Sequence, residues 1–228
     1  MCDNHNKTCT HTHIKMETVV EGRLLLVAFQ SMMNLYFTHG ARSSKKVEYF
    51  HNFIKSEITK CIPDSKRYAV ELEKYVPSTN STGRKRCDIV VFRNGVPFLV
   101  FPVKLIMTNY KQNKNNYFEQ LLGELQCLKW ANPSLHIIPI NIILNKVPYL
   151  SKKTQHIEKF ETVSYRDDLQ IYDLIREKNI THANMNYIID VEHVNCVGEK
   201  YDKLPHIVGF NVHTKYVPIS QILSTLIV

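Results

Sequence analysis

Glycine is scarce in this chain, with only 7 among 228 residues, which excludes collagen-like and Gly-rich linker architectures and implies that most of the chain is ordered. Long apolar runs are missing too. The longest, residues 96–103 and 137–144, fall far short of the roughly 20 residues that a membrane-crossing helix needs. The six cysteines (Cys2, Cys9, Cys61, Cys87, Cys127 and Cys196) form no CxxC pair, and their spacing argues against a disulfide framework. No GxxxxGK[ST] occurs, so a P-loop motor is excluded. The N-terminal residues are polar, and with no disulfide pattern a reducing cytoplasm is the expected compartment.

Positive charge is what the chain has in excess. Lys and Arg number 29 against 21 Asp and Glu, a net charge of +8 and a pI near 9.1, which suits a polyanionic partner. The clusters are dispersed: Lys45-Lys46, Arg84-Lys85-Arg86, Lys111 with Lys114, and Lys152-Lys153. Singly, each reads as a solvated surface. Apolar residues make up 44%, enough for a proper core, and the length suits one domain. Residues 1–15 read as a flexible tail, 16–148 as the core, and 149–228 as an extension packed on the same domain. Cys2, His5, Cys9, His11 and His13 could gather zinc, but their spacing matches no tetrahedral pattern, so a frayed tail is expected.

Apolar periodicity predicts helices over residues 16–38 and 43–60 and a half-buried strand over 67–76. A loop at 77–83 leads to strands over 86–92 and 97–106, joined by Asn94-Gly95, a hairpin signal. A polar loop at 109–116, a helix over 117–130 and a buried strand over 135–144 follow. Beyond Pro148 the expected elements are a helix at 166–178, strands at 185–194 and 206–213, and an apolar helix from Ile219. Helix, helix, three-strand meander, helix, strand is the order of an α/β (α+β) fold with a mixed central sheet flanked by helices.

The stretch from Arg84 to Glu124 carries the chemistry. Asp88 opens one apolar strand and Lys104 lies on the next. A carboxylate and an amine on adjacent strands, beside basic residues, can hold a divalent metal and polarise a water, as phosphodiester cleavage requires. The plain reading of Asp88 is a polar residue at a strand start, yet desolvating it without a cationic partner would cost on the order of several kcal/mol. The plain reading of Lys104 is a snorkelling lysine at the end of an apolar run.

The run GRKRCDIVVFRNGVPFLVFPVK, followed by FEQLLGELQCLKW, resembles the PD-(D/E)XK nuclease superfamily, and in wording the nuclease domain of type I restriction subunits. The similarity covers about residues 67–145. It implies a restriction-endonuclease-like core, with Mg2+ (or Mn2+ as a substitute) as cofactor. By the same resemblance, Asp88 is the metal-binding aspartate, the Val103 carbonyl another ligand, Lys104 the residue that orients the attacking water, and Gln120 the glutamine of the following helix. Three positions depart from the pattern. Cys87 stands in place of a proline, Glu124 in place of the tyrosine that partners the glutamine, and Pro102 in place of the second acid.

A relocated carboxylate would have to replace that acid. If residues 68–92 fold as a hairpin about residues 79–81, Glu71 and Glu73 can share a face with Asp88. Glu21 on the first helix and Glu119 beside Gln120 are the other candidates, and Glu71 and Glu21 are preferred without being separable. Arg84, Lys85, Lys111, Gln112 and Lys114 are the expected DNA contacts. The amides of Asn109, Asn113, Asn115 and Asn116 suit adenine edges. Asp190, Glu192 and His193 form a competing acidic group without a matched lysine.

With no motor motif in the chain, the expectation is a homodimeric, Mg2+-dependent type II restriction endonuclease that cleaves both strands of a symmetric double-stranded DNA site. Residues 149–228 would then serve recognition and dimer contacts. Two other readings stay open: a repair or recombination nuclease with little sequence preference, and a DNA-binding pseudonuclease, which accounts most simply for Pro102.

Overall fold

A computed structural model describes the backbone of residues 5–40, 42–214 and 216–227, with side chains from residue 20 onward within them. It opens with two helices, α1 (His5–His39) and α2 (Lys45–Lys60). The backbone is helical from His5, where a frayed tail was expected; Cys2 and the side chains of His5, Cys9, His11 and His13 lie outside the described residues. α1 turns Leu25, Ala28, Phe29, Met32 and Met33 inward at helical spacing, and α2 does the same with Phe50, Ile54 and Ile58. Gly40, left-handed at φ 83°, ends α1 by donating its N–H to the Tyr36 carbonyl at 2.8 Å.

The meander follows as β1 (Tyr68–Pro77), β2 (Arg84–Arg93) and β3 (Val96–Phe101). β1 and β2 pair antiparallel from Tyr68–Arg93 to Pro77–Arg84, so the hairpin centres within the loop that the sequence marked. Asn94 (φ 52°) and Gly95 (φ 78°) are both left-handed, as a tight β-turn with strand twist requires.

Two strands expected as single runs are broken by prolines. β3 stops at Phe101 and the chain resumes beyond Pro102 as β4 (Val103–Ile106), while residues 135–144 divide at Pro139 into β5 (His136–Ile137) and β6 (Ile140–Leu144). A proline has no N–H to give a ladder, so each run changes direction there. Pairing nonetheless continues across both breaks. Ile138 donates to the Val100 carbonyl at 3.0 Å and Ile140 to the Pro102 carbonyl at 2.8 Å. These two bonds link the edges of two four-stranded sheets, β1-β2-β3-β5 and β4-β6-β9-β10, the second closed by β9 (Met185–Glu192) and β10 (His206–Phe210).

Helix α3 (Lys114–Ala131) connects the parallel runs, turning Leu121, Leu125 and Leu128 inward. Ile89, Val90 and Val91 are buried in succession, as is all of β6, so helices must cover both faces of the sheet. α2 packs on β1 and β2, and α3 on β1. The architecture is a mixed α+β fold with several sheets, where a single central sheet was expected. The C-terminal part completes the second sheet, since β9 pairs parallel with β6.

After residue 145 the structure departs further from the periodicity. Residues 146–162 form a hairpin of β7 (Lys146–Leu150) and β8 (Ile157–Thr162), unread because Pro148 and scattered lysines break the alternation. The helix expected at 166–178 is a π turn, a 3-10 turn and the short α4 (Asp173–Glu177), and α5 spans only Ile219–Leu223. Among the described residues no helix is long and apolar enough to cross a membrane.

Glu21 corrects one expectation. Its carboxylate accepts hydrogen bonds from the Tyr216 hydroxyl (3.2 Å), the Ser220 hydroxyl (2.8 Å) and the Ile219 N–H. It caps the start of α5 and ties α1 to the C-terminal segment, so its oxygens are committed away from the meander. Glu21→Ala should lower stability by about 2–3 kcal/mol, the scale of lost hydrogen bonds to a charged group, while metal binding at Asp88 is retained. Chemical denaturation and metal titration of the variant measure the two separately.

Candidate metal centre at the strand fork

β2 pairs with β3 as far as Ile89–Phe101. Beyond that point β4 turns to β6, while β2 stays paired with β1 alone. The strands part at Asp88 and Pro102. There the Asp88 Oδ2 accepts the Val103 N–H at 2.7 Å, so a carboxylate satisfies an amide that has lost its strand neighbour. The fork opens a pocket of about 210 Å³, lined by Asp88, Pro102, Val103 and Lys104 together with Gln120 and Glu124 of α3. Asp88, Val103, Lys104 and Gln120, nominated from different parts of the sequence, thus line one pocket. The Lys104 ammonium also lies 5.4 Å from the Tyr117 ring centroid, a cation–π contact.

Of the two β1 glutamates, Glu73 and not Glu71 lies across from Asp88. The pairs Leu72–Ile89 and Lys74–Cys87 bracket Glu73 opposite Asp88. Glu73 has a φ of 56°, a left-handed conformation that costs a residue with a side chain roughly 1–2 kcal/mol. That turn breaks the alternation which would have put Glu71 and Glu73 on one face. Glu71 instead forms an ion pair with Lys74 at 2.8 Å. Glu119 is exposed on α3 and is not part of the pocket lining.

A third group comes from α2. His51 is 3% exposed, and its Nδ1 lies 3.4 Å from Glu73 Oε1. One ligand atom each from His51, Glu73 and Asp88 lie within 4.8 Å of one another. Two oxygens and an imidazole nitrogen so disposed fit a divalent cation. Sequence reasoning passed over His51, although a signal existed: it falls on the same helical stripe as Val47, Ile54 and Ile58, where a polar residue needs a reason.

The electrostatics favour a cation. Burial pushes the Asp88 pKa above its ordinary value, and the Glu73 charge adds to this; the Val103 amide, His51 and Lys85 pull the other way. Arg86 Nε lies 2.9 Å from Glu73 Oε2, and Lys85 pairs with Glu124 at 3.0 Å. Burial also pushes the neighbouring Cys87 thiol up to about 12, leaving it protonated and inert near neutrality.

The expected DNA contacts separate into two groups. Lys85 is paired with Glu124, and Lys114 with the buried Asp168 at 3.2 Å, so both lysines serve the protein's own carboxylates. Arg84, Lys111 and Gln112 are exposed or half-buried, with Arg84 stacked 4.6 Å from the Tyr75 ring centroid. Of the amides, Asn109 holds the Leu150 N–H at 2.6 Å and Asn113 the Asn109 carbonyl at 3.0 Å; Asn115 and Asn116 are exposed. The competing group disperses: Asp190 accepts from Asn211 at 2.8 Å, and His193 Nε2 contacts the Lys146 carbonyl at 2.7 Å.

No protein-family model, no curated protein and no solved structure matches this chain.

A raised folded-state pKa means that Asp88 favours the fold when protonated, and that this contribution is lost as pH rises through that pKa. In chelator, Asp88→Asn should therefore be more stable than the wild type at neutral and alkaline pH, and the difference should vanish in acid. A divalent ion reverses the order. At about a hundredfold excess over its Kd it should stabilise the wild type by about 2.7 kcal/mol and leave Asp88→Asn unmoved. Thermal melts with and without Mn2+ check both signs, and equal metal shifts in the two proteins would refute the site.

Proposed function

We propose that this chain is a metal-dependent nuclease of PD-(D/E)XK type. The observation that carries the reading is the convergence of His51, Glu73 and Asp88 ligand atoms within 4.8 Å, beside a pocket shared by Asp88 and Lys104. The meander, helix and parallel strand around it have the order that the resemblance implies for a restriction-endonuclease-like core. Glu73 takes over the role of the acid that Pro102 cannot play.

A divalent cation held by Asp88, Glu73 and His51 would neutralise charge on the scissile phosphate and lower the pKa of a water. The chain's own residues do the rest. Asp88 is fixed by the Val103 amide and lines the pocket. Lys104 holds a positive charge at the mouth of the fork, where it can orient a water against the phosphate and stabilise developing negative charge. Gln120, exposed on α3 at the pocket edge, can position the substrate by its amide. Arg84, Lys111 and Gln112 would meet the backbone further out. An imidazole among the ligands suits Mn2+ better than Mg2+, which prefers an all-oxygen shell.

The substrate proposed is double-stranded DNA, and the narrower reading is a homodimeric type II restriction endonuclease acting on a symmetric site. Incubation with phage DNA, with and without Mg2+ or Mn2+, tests it. Discrete fragments support restriction, a smear supports a repair or recombination nuclease, and a gel shift without cleavage identifies a pseudonuclease. Cleavage should be faster with Mn2+ than with Mg2+. Asp88→Ala should abolish cutting but leave DNA binding, and Glu73→Gln should slow it on the order of a hundredfold or more, the scale of a lost charge contact in the transition state. Undiminished cutting by Asp88→Ala overturns the assignment.

A further inference from the structure

α3 has a second pocket on its other flank. Gln120 and Glu124 face the fork, whereas Lys129 lies about 140° around the helix from Glu124 at 3.6 residues per turn. It lines a separate cavity of about 230 Å³ with His136, Arg176, Asn179, Thr181 and His182. Every ionisable group in that lining is basic. Such one-sided charge is unfavourable by itself, because nothing in the lining offsets it.

The groups are held in place by the fold. Lys129 Nζ donates to the Pro133 carbonyl at 3.0 Å and the Leu135 carbonyl at 2.8 Å, which leaves one ammonium hydrogen for another acceptor. The His136 and His182 rings stand nearly perpendicular with centroids 5.5 Å apart. The His182 backbone N–H is anchored to the Ile137 carbonyl at 2.9 Å, and its Nε2 lies 3.1 Å from the Thr225 hydroxyl, leaving Nδ1 for a ligand. His136 also stacks edge-on against Phe98 at 5.0 Å, and Arg93 covers that same ring at 4.3 Å. Arg176 is exposed near the end of α4 and lines the cavity.

We propose that this pocket binds a phosphate group, with Arg176 and Lys129 as charged donors and His136 and His182 as imidazole donors. Guanidinium and ammonium together recognise a phosphate through charge-assisted hydrogen bonds. The cavity is below the roughly 300 Å³ that houses a drug-sized ligand, so the phosphate and not a whole cofactor determines the fit. Burial and neighbouring positive charge, from His182, Lys129 and Arg93 on His136 and from Lys129 on His182, hold both imidazoles below the ordinary histidine value. A bound dianion would reverse that sign and draw protons onto the rings. The site stands independently of the nuclease reading, since it uses no residue of the fork. The phosphate could belong to the end of a nucleic-acid strand or to a free small molecule.

Calorimetric titration in EDTA keeps the fork metal-free. The probes are inorganic phosphate, adenosine monophosphate, and short single-stranded oligonucleotides with and without a 5′ phosphate. Binding by the free phosphates assigns a small-molecule site, and binding that requires the 5′-phosphorylated oligonucleotide assigns a strand-end site. Either supports the proposal, provided that Arg176→Gln and His182→Gln each weaken it about tenfold and Lys152→Gln does not. Phosphate should also raise the titration midpoints of His136 and His182 followed by NMR in the wild-type protein, a readout that needs no variant. Absence of binding by every probe, or binding indifferent to Arg176→Gln with no movement of the two imidazole titrations, overturns it.

Discussion

The hydrogen bond from the Val103 N–H to the Asp88 carboxylate lies where two strands of the sheet separate, and the candidate centre is arranged around it. When neighbouring strands diverge, an amide loses its partner and must find another. Asp88 supplies it. Pro102 prepares the same place from the opposite side, having no N–H of its own to satisfy while its carbonyl accepts from Ile140. The residue that reads as a lost acid is thus the one at which the run of β3 and β4 changes neighbours.

Charge and strain meet at this fork. Glu73 is kept left-handed opposite Asp88, with His51 and Arg86 on its two oxygens. Strained non-glycine backbone tends to persist where the surroundings over-determine it, often at functional sites. The Glu73 charge adds to burial in raising the Asp88 pKa, and a divalent cation would offset both. On the other flank of α3 the sign is inverted, with Lys129, Arg176, His136 and His182 gathered around a cavity. One helix thereby separates a place suited to a cation from a place suited to an anion.

Much of the meander was legible because its signals are local. Asn94-Gly95 specifies a turn through the left-handed conformations that those residues tolerate, and the polar run 77–83 marked the loop of the first hairpin, though its register is one residue from the expected one. That Asp88, Lys104 and Gln120 would come together was also readable, since their spacing along strand, turn, strand and helix survives folding and they line one pocket. The choice among acids was not. Glu71 and Glu73 are equivalent to a rule that counts alternate residues, and only the φ of Glu73 distinguishes them. Glu21 sits on a helix whose neighbour, the α5 start, is almost two hundred residues away, and no periodicity reports that contact. Pro148 and the turns of 165–172 hid the β7–β8 hairpin and the broken helix after it.

By itself the sequence determined the helices and meander of the first half, the inward Phe50, Ile54 and Ile58 of α2, the Asn94-Gly95 turn and the basic balance, because each depends on residues a few positions apart or on composition. Tertiary structure decided which charges meet. It brought His51 from α2 to Glu73 of β1, gave Lys85 and Lys114 to internal carboxylates, and collected four basic side chains beside α3. Ion pairing and ligand geometry act through distances of a few ångströms between residues far apart in the chain, and those distances exist only once helices and strands have packed together.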